Sequence, residues 1–294
     1  MLRSFGFGLV LSTVACSSAA PLARAPSNAA TTPSASSASD VAPPSTLVIA
    51  VRELPELVKE FEAEGTTGTI ALFDSQDGLL GCSDLQRCQQ GFIPASTFKI
   101  PNSMIALETG AVDGPDTVMK WDGQQYSVDA WNQDLKFRDA FRVSCVPCYR
   151  AIARQVGDKL EQEWLTKLDY GNHDISGGID KFWLSGGLRI SPLGQIDFLR
   201  RFDGNKLPIS ERTADIVRDI MTVDVTEKYV LRAKSGSTLK PEEPRDLGWF
   251  VGWLELGERR VFFATLIDGH RPDVDLLPVR RRVTERVLKA RGLM

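Results

Sequence analysis

The sequence is poor in residues that bind transition metals: among 294 residues there are two histidines, His173 and His270, and five cysteines. No pair of Cys-x-x-Cys knuckles occurs and the histidines stand alone, which argues against a zinc site. It also lacks an excess of positive charge. The 35 Lys and Arg are outnumbered by 38 Asp and Glu, for a formal charge of −3. Composition therefore gives no electrostatic reason to bind nucleic acid or anionic lipid, and a small-molecule partner is expected. No apolar run approaches the ~20 residues that a membrane-spanning helix needs, and there is no internal repeat. What is present, 43% hydrophobic and 25% charged residues, suffices to bury a full core in one domain.

The amino terminus reads as a leader. Residues 1–15 carry one cation, Arg3, followed by a short apolar run, the pattern of an export signal. Cys16 follows Val14-Ala15, similar to a bacterial lipoprotein cleavage box, so two outcomes are open: lipidation of Cys16 as an outer-membrane tether, or cleavage after a nearby Ala that discards it. Residues 16–45 are rich in Ala, Ser, Thr and Pro and form an expected disordered tether ahead of a folded domain over 46–294. Export to the periplasm implies an oxidising compartment. Cys82 and Cys88 flank five residues of loop character and are expected to form a disulfide, whereas Cys145 and Cys148, three apart in a predicted helix, are expected to pack as thiols.

Periodicity then places the elements. Glu53 to Glu64, Ser96 to Glu108, Val146 to Val156, Lys159 to Leu168 and Pro208 to Met221 have helical spacing, and Val279, Val283 and Val287 mark a carboxy-terminal helix. Thr67 to Phe73, Tyr229 to Ala233, Gly248 to Leu256 and Arg260 to Ile267 read as strands. Strands at both ends with helices between them predict an α+β fold: a central antiparallel sheet built by the two chain ends, and a mostly helical subdomain over about 100–205.

Ser96-Thr97-Phe98-Lys99 sets a hydroxyl and an amine three residues apart, on one face of a helix and near its positive end. Such a pair suits nucleophilic attack if burial strips the amine of its proton. Phe98 and Ile100 flank Lys99, and Val146, Phe182, Trp183 and Leu184 are candidate shelter. The spacing is weak evidence by itself: Ser237-Thr238-Leu239-Lys240 repeats it, and a surface lysine on an amphipathic helix is the bland alternative.

Further strings change the balance. Pro94-Ala-Ser-Thr-Phe-Lys-Ile-Pro-Asn102, Ser144-Cys145-Val146, Tyr170-Gly171-Asn172 and Lys234-Ser235-Gly236 occur in that order, and Tyr170 runs through Trp183 to Ser191 as Tyr-Gly-Asn-His-Asp-Ile-Ser-Gly-Gly-Ile-Asp-Lys-Phe-Trp-Leu-Ser-Gly-Gly-Leu-Arg-Ile-Ser. In these motifs the chain resembles the class D, oxacillinase-type serine β-lactamases of the penicillin-binding protein/transpeptidase-like superfamily, over roughly Thr67 to Leu288.

The resemblance implies hydrolysis of β-lactams through an acyl-enzyme on Ser96. The oxyanion would be held by the backbone N–H groups of Ser96 and Ser237. Lys99 would be carboxylated by carbon dioxide, with bicarbonate as its source and no other bound cofactor, and would serve as general base. Trp183 would donate its indole N–H to the carbamate, Val146 would shield it, and Ser144 would relay a proton. Lys234, Ser235, Gly236, Ser237 and Arg280 would bind the substrate, with Lys234 and Ser235 at a sheet edge and, together with Arg280, facing its carboxylate; family members more often carry Thr at the position of Ser235. Arg280 shares its helix with Arg281, Arg282 and Arg286. Tyr170 and Asn172 are expected to shape a loop, and neither histidine is given a catalytic role. The competing reading is a sensor or penicillin-binding protein that is acylated without turnover. A D,D-peptidase commonly has Asn at the position of Val146, and antibiotic sensors hang from spanning segments with a His-Glu-x-x-His motif that this chain lacks. Oligomeric state carries no signal.

Overall fold

Pro55 decides how the chain enters the fold. It lacks an N–H and restricts Leu54 to non-helical backbone. The helix expected from Glu53 to Glu64 is therefore divided into strand β1 (Val51–Glu53), a 3₁₀ turn over Pro55–Leu57 and helix α1 (Val58–Glu62). The computed structural model describes residues 50–238 and 246–294. The leader, the tether with Cys16, and Lys240 of the second Ser-x-x-Lys string lie outside them.

Strands β2 (Thr66–Asp74) and β3 (Leu80–Cys82) and helix α2 (Leu85–Gln89) follow, and a 3₁₀ turn over Ala95–Phe98 runs into α3 (Lys99–Glu108). Strands β4 (Val118–Met119) and β5 (Leu135–Lys136) make a small separate ladder. Helices α4 (Phe137–Arg142), α5 (Val146–Val156), α6 (Asp158–Leu168), α7 (Pro192–Asp203) and α8 (Glu211–Ile220) come next. The chain then returns to the sheet with β6 (Thr222–Val225), β7 (Val230–Thr238), β8 (Leu247–Leu256) and β9 (Arg259–His270), and closes with α9 (Leu276–Ala290).

Local chemistry sets the helix limits. Ser191 caps α7 by accepting from Gly194 N–H, with Pro192 in the first turn, and Ser210 caps α8 through Thr213 N–H. Helix α5 stops at Gly157, whose φ of +81° a side chain would strain. Helix α7 is not anticipated by the patterning above, although Ser191-Pro192 carries a start signal.

Among the described residues the sheet has seven strands in the order β1-β3-β2-β9-β8-β7-β6. Pairing β2 with β9 joins the two ends of the chain, as expected. The expectation of a wholly antiparallel sheet needs one correction, since β1 runs parallel to β3. Alternation along β8 sorts the core into two layers. Phe250 and Leu254 face Val279, Val283 and Val287 of α9 and Phe61 of α1, while Trp249, Val251 and Trp253 face the helical side with Phe198 and Phe202 of α7. Each fully buried aliphatic or aromatic side chain in these layers contributes about 1.5–3 kcal/mol. Val283→Asp would put an unpaired carboxylate between α9 and the sheet and break that layer.

Cys82 and Cys88 form the expected disulfide, although the second cysteine lies in α2 rather than in a loop. A second disulfide joins Cys145 to Cys148, which corrects the expectation of packed thiols. Cys145 is not inside the helix. It is the N-cap of α5, with φ −55° and ψ 103°, and its sulfur lies over the first turn, where it also accepts from Cys148 N–H at 3.2 Å.

Candidate active site

Ser96 lies in the 3₁₀ turn ahead of α3, not in the helix itself, and Lys99 is the first residue of α3. Residues three apart eclipse in a 3₁₀ turn, and Lys99 Nζ is 3.0 Å from Ser96 Oγ. The preceding Ala95 has a φ of +48°, a strained value for a residue with a side chain. Lys99 is fully buried, and that burial, reinforced by the positive charge of Arg150, brings its amine down to about 7. The surface-lysine alternative is therefore excluded.

Aromatic rings build the shelter. Trp183 stacks on Phe98 at 5.4 Å, Phe182 meets both edge-on, and Lys99 Nζ sits 5.1 Å from the centre of the Tyr149 ring. Trp183 is fully buried, yet its Nε1 has no hydrogen-bond partner. An unsatisfied buried donor costs about 1–3 kcal/mol, so this indole marks a place for an acceptor.

Strand β7 supplies the opposite wall. Strand β6 pairs only with Val230–Arg232, so Lys234 to Thr238 extend past it and β7 is the outermost strand there, as the sheet-edge expectation required. Gly236 lets the strand approach the nucleophile turn: a Cβ would lie 3.0 Å from Pro94 O and 3.1 Å from Thr97. Lys234 Nζ donates to Ser144 Oγ at 3.0 Å and to its own neighbour Ser235 O at 2.8 Å. Burial first, then the charges of Lys99 and Arg280, push the Lys234 amine well below its ordinary value. Ser144 holds a φ of +56°, and Cys145, not Ser144, caps α5.

Of the arginines crowded on α9, Arg280 is the one that reaches the site. Its Nη1 donates to Gly236 O at 2.8 Å, and burial lowers it to about 10 against the opposing pull of Asp275. Arg281 pairs with Asp224 and Glu285, Arg282 with Glu64 and Arg286 with Glu60. Helical geometry thus separates one arginine from the other three.

A cleft of about 730 Å³ opens above these groups. Ser96, Ser144, Val146, Ser235, Gly236, Ser237 and Arg280 line it, while Lys99, Trp183 and Lys234 stand behind the hydroxyls rather than on the wall. Tyr170 and Asn172 shape the neighbouring loop. Asn172 Oδ1 accepts from Arg189 N–H at 2.9 Å, its amide donates to Gly187 O, and buried Tyr170 holds Gln195.

The comparisons with known proteins agree with this geometry. Residues 63–289 match the penicillin binding protein transpeptidase domain family. The chain is 41% identical to β-lactamase OXA-48 of Klebsiella pneumoniae over 83% of this chain and 94% of that protein. It is 39% identical to β-lactamase OXA-10 of Pseudomonas aeruginosa over 80% and 88%. The chain belongs to the class D β-lactamases. Among solved structures, the class D β-lactamase YbXI from Nostoc superposes with a TM-score of 0.77 at 41% identity, covering 81% of this chain and 99% of that one. FUS-1 (OXA-85) from Fusobacterium nucleatum gives 0.78 at 34% identity, covering 83% and 100%.

In this class D β-lactamase two features escape motif reading. Arg150 lines the cleft and bears on the Lys99 amine, with its Nε on the Asp180 backbone carbonyl at 3.2 Å. The four-residue spacing of Val146, Arg150 and Arg154 along α5 was the available signal. Glu161 of α6 is fully buried without a hydrogen-bond partner, and burial pushes its carboxyl up to about 8. Nothing in the sequence pattern distinguishes it from an exposed helical glutamate. No cluster of metal-binding side chains exists among the described residues.

Proposed function

We propose that this class D β-lactamase hydrolyses β-lactams by acylation and deacylation of Ser96, with Lys99 as the core of its general base. The observation that carries the reading is the 3.0 Å contact between Ser96 Oγ and a fully buried amine held near neutrality.

Arg280 and Ser235 bind the carboxylate of the substrate at one end of the cleft, and Lys234 holds the Ser144 hydroxyl from behind. Ser96 Oγ attacks the lactam carbonyl as its proton passes to the Lys99 side. General-base help of this kind is worth about 10²–10⁴ in rate. The backbone N–H groups of Ser96 and Ser237 hold the developing oxyanion. Ser144, hydrogen-bonded to Lys234, passes a proton to the departing lactam nitrogen, and water then releases the acyl group from Ser96.

A Lys99 amine lowered to about 7 by burial and the unpartnered Trp183 N–H fit carboxylation of Lys99 by carbon dioxide. When bound, that group supplies an oxyanion that accepts and returns protons, with Trp183 Nε1 as its hydrogen-bond donor and Val146 shielding it from water. The leader, the tether and Cys16 support delivery to the periplasm, and intact-mass analysis of the mature chain separates lipidation of Cys16 from its removal.

The test is turnover of a chromogenic cephalosporin combined with intact-mass analysis. Steady-state hydrolysis, a transient acyl adduct on Ser96 and neither with Ser96→Ala are expected. One acyl group trapped per chain without turnover would select the non-hydrolysing sensor.

A further inference from the structure

The second disulfide lies inside the catalytic motif. Cys145 sits between Ser144 and Val146, and Cys148 precedes Tyr149. Three residues of this short segment touch the buried amines or the cleft. Ser144 Oγ accepts from Lys234 Nζ, Val146 lines the cleft, and the Tyr149 ring lies beside Lys99 Nζ while its hydroxyl meets Ser103 Oγ at 2.8 Å.

Ser144 also needs holding. Its φ of +56° disfavours a residue with a side chain, at a cost of about 1–3 kcal/mol unless the surroundings impose it. The disulfide begins at the very next residue and ties it to the first turn of α5.

The two disulfides differ in access. Cys82 and Cys88 are both fully buried beneath β2 and α7, and Cys145 is fully buried too, but Cys148 is only partly covered. Of the four half-cystines, Cys148 alone is a partly exposed residue, so it is the point at which a reductant meets the folded protein.

We propose that the Cys145–Cys148 disulfide is a positioning clasp for Ser144 and Val146, and that it is the disulfide of this chain that opens reversibly in the folded protein. The inference rests on the proposed function of the site. A dithiol reductant supplies the electrons. Its thiolate attacks Cys148 Sγ, the Cys145–Cys148 bond breaks, and Cys145 leaves as a thiolate at the amino end of α5, stabilised by Cys148 N–H and the helix dipole. The second thiol of the reagent then displaces Cys148, leaving two protein thiols and an oxidised, cyclised reagent. With the clasp open, Ser144 relaxes from its positive φ and its hydroxyl drifts from Lys234.

The test uses the whole secreted chain under native conditions. The protein is treated with a dithiol, alkylated and mapped by mass, while kcat, KM and the pH profile of kcat/KM are measured on a chromogenic cephalosporin. Alkylation at Cys145 and Cys148 but not at Cys82 and Cys88 is expected. So are a kcat lowered about tenfold with KM changed less, as small misplacement of a proton-relaying group produces, a displaced pH limb and recovery on reoxidation. The double variant Cys145→Val with Cys148→Val should reproduce the loss and ignore the reductant. Unchanged kcat and pH profile after verified opening of this pair would overturn the clasp, and so would prior opening of Cys82–Cys88. If the double variant fails to fold, the reversible reduction of the parent still decides. Absence of turnover by the oxidised protein would instead remove the reading of the site itself.

Discussion

Replacing Lys99 with Met should destroy activity and stabilise the protein, and the size of the gain follows from the burial of the amine. Its folded value of about 7 lies below the ordinary 10.5. Between those values the unfolded chain holds a proton that the folded chain does not, so the parent loses stability as pH falls from 10.5 to 7 and levels off below. At about 1.36 kcal/mol per pH unit, that gap amounts to on the order of 5 kcal/mol. Met fills a similar volume without a charge and gives up the contact with Ser96, which offsets about 1 kcal/mol. A net gain of roughly 4 kcal/mol below pH 7 corresponds to a melting temperature higher by about 10 °C in a chain of this size. The assay is thermal and urea unfolding of parent and Lys99→Met in carbon dioxide-free buffer, from pH 6 to pH 10. The difference between the two should shrink steadily above pH 7. A variant no more stable than the parent, or a pH-independent difference, would refute the argument that burial neutralises this amine.

Trp183→Phe keeps the ring stack but removes the unpartnered N–H. In carbon dioxide-free buffer its melting temperature should equal or exceed that of the parent, while turnover falls roughly 10–100-fold, the worth of one hydrogen bond to a charged acceptor, and recovers in part with added bicarbonate. Glu161→Met should stabilise more at pH 8.5 than at pH 5 in urea unfolding. The folded carboxyl is pushed up from 4.5 to about 8, so the parent loses stability as pH rises across that window, on the order of 5 kcal/mol in all. Arg280→Ala should raise KM for β-lactams bearing the ring carboxylate by roughly 10–100-fold, and Arg280→Lys should restore it poorly, because a point cation cannot reproduce a planar fork; steady-state kinetics on both variants decide. Arg150→Gln removes a like charge from beside Lys99, so the Lys99 amine should titrate at higher pH, seen as an upward displacement of the pH–rate profile.

The order of four short motifs, the three-residue spacing of Ser96 and Lys99, and the periodicity of α5, α6, β8 and α9 were legible along the chain, because each depends on backbone geometry over a few residues. Those features led to the class D family, to the joining of amino- and carboxy-terminal segments in one sheet and to Ser96, Ser144, Val146, Ser235, Ser237 and Arg280 of the cleft wall. Tertiary structure alone decided how far each group is buried and what it meets. The same Arg-rich string holds one arginine in the cleft and three in surface ion pairs, according to helical rotation against the sheet. Lys234 finds Ser144 from 90 residues away, and Glu161 lies buried where its sequence resembles any exposed helical turn. Cys145 escapes the helix by one residue and becomes a cap, which turned two expected thiols into a disulfide. Proton affinity and bond partnership depend on desolvation and on neighbours remote along the chain, and spacing carries neither.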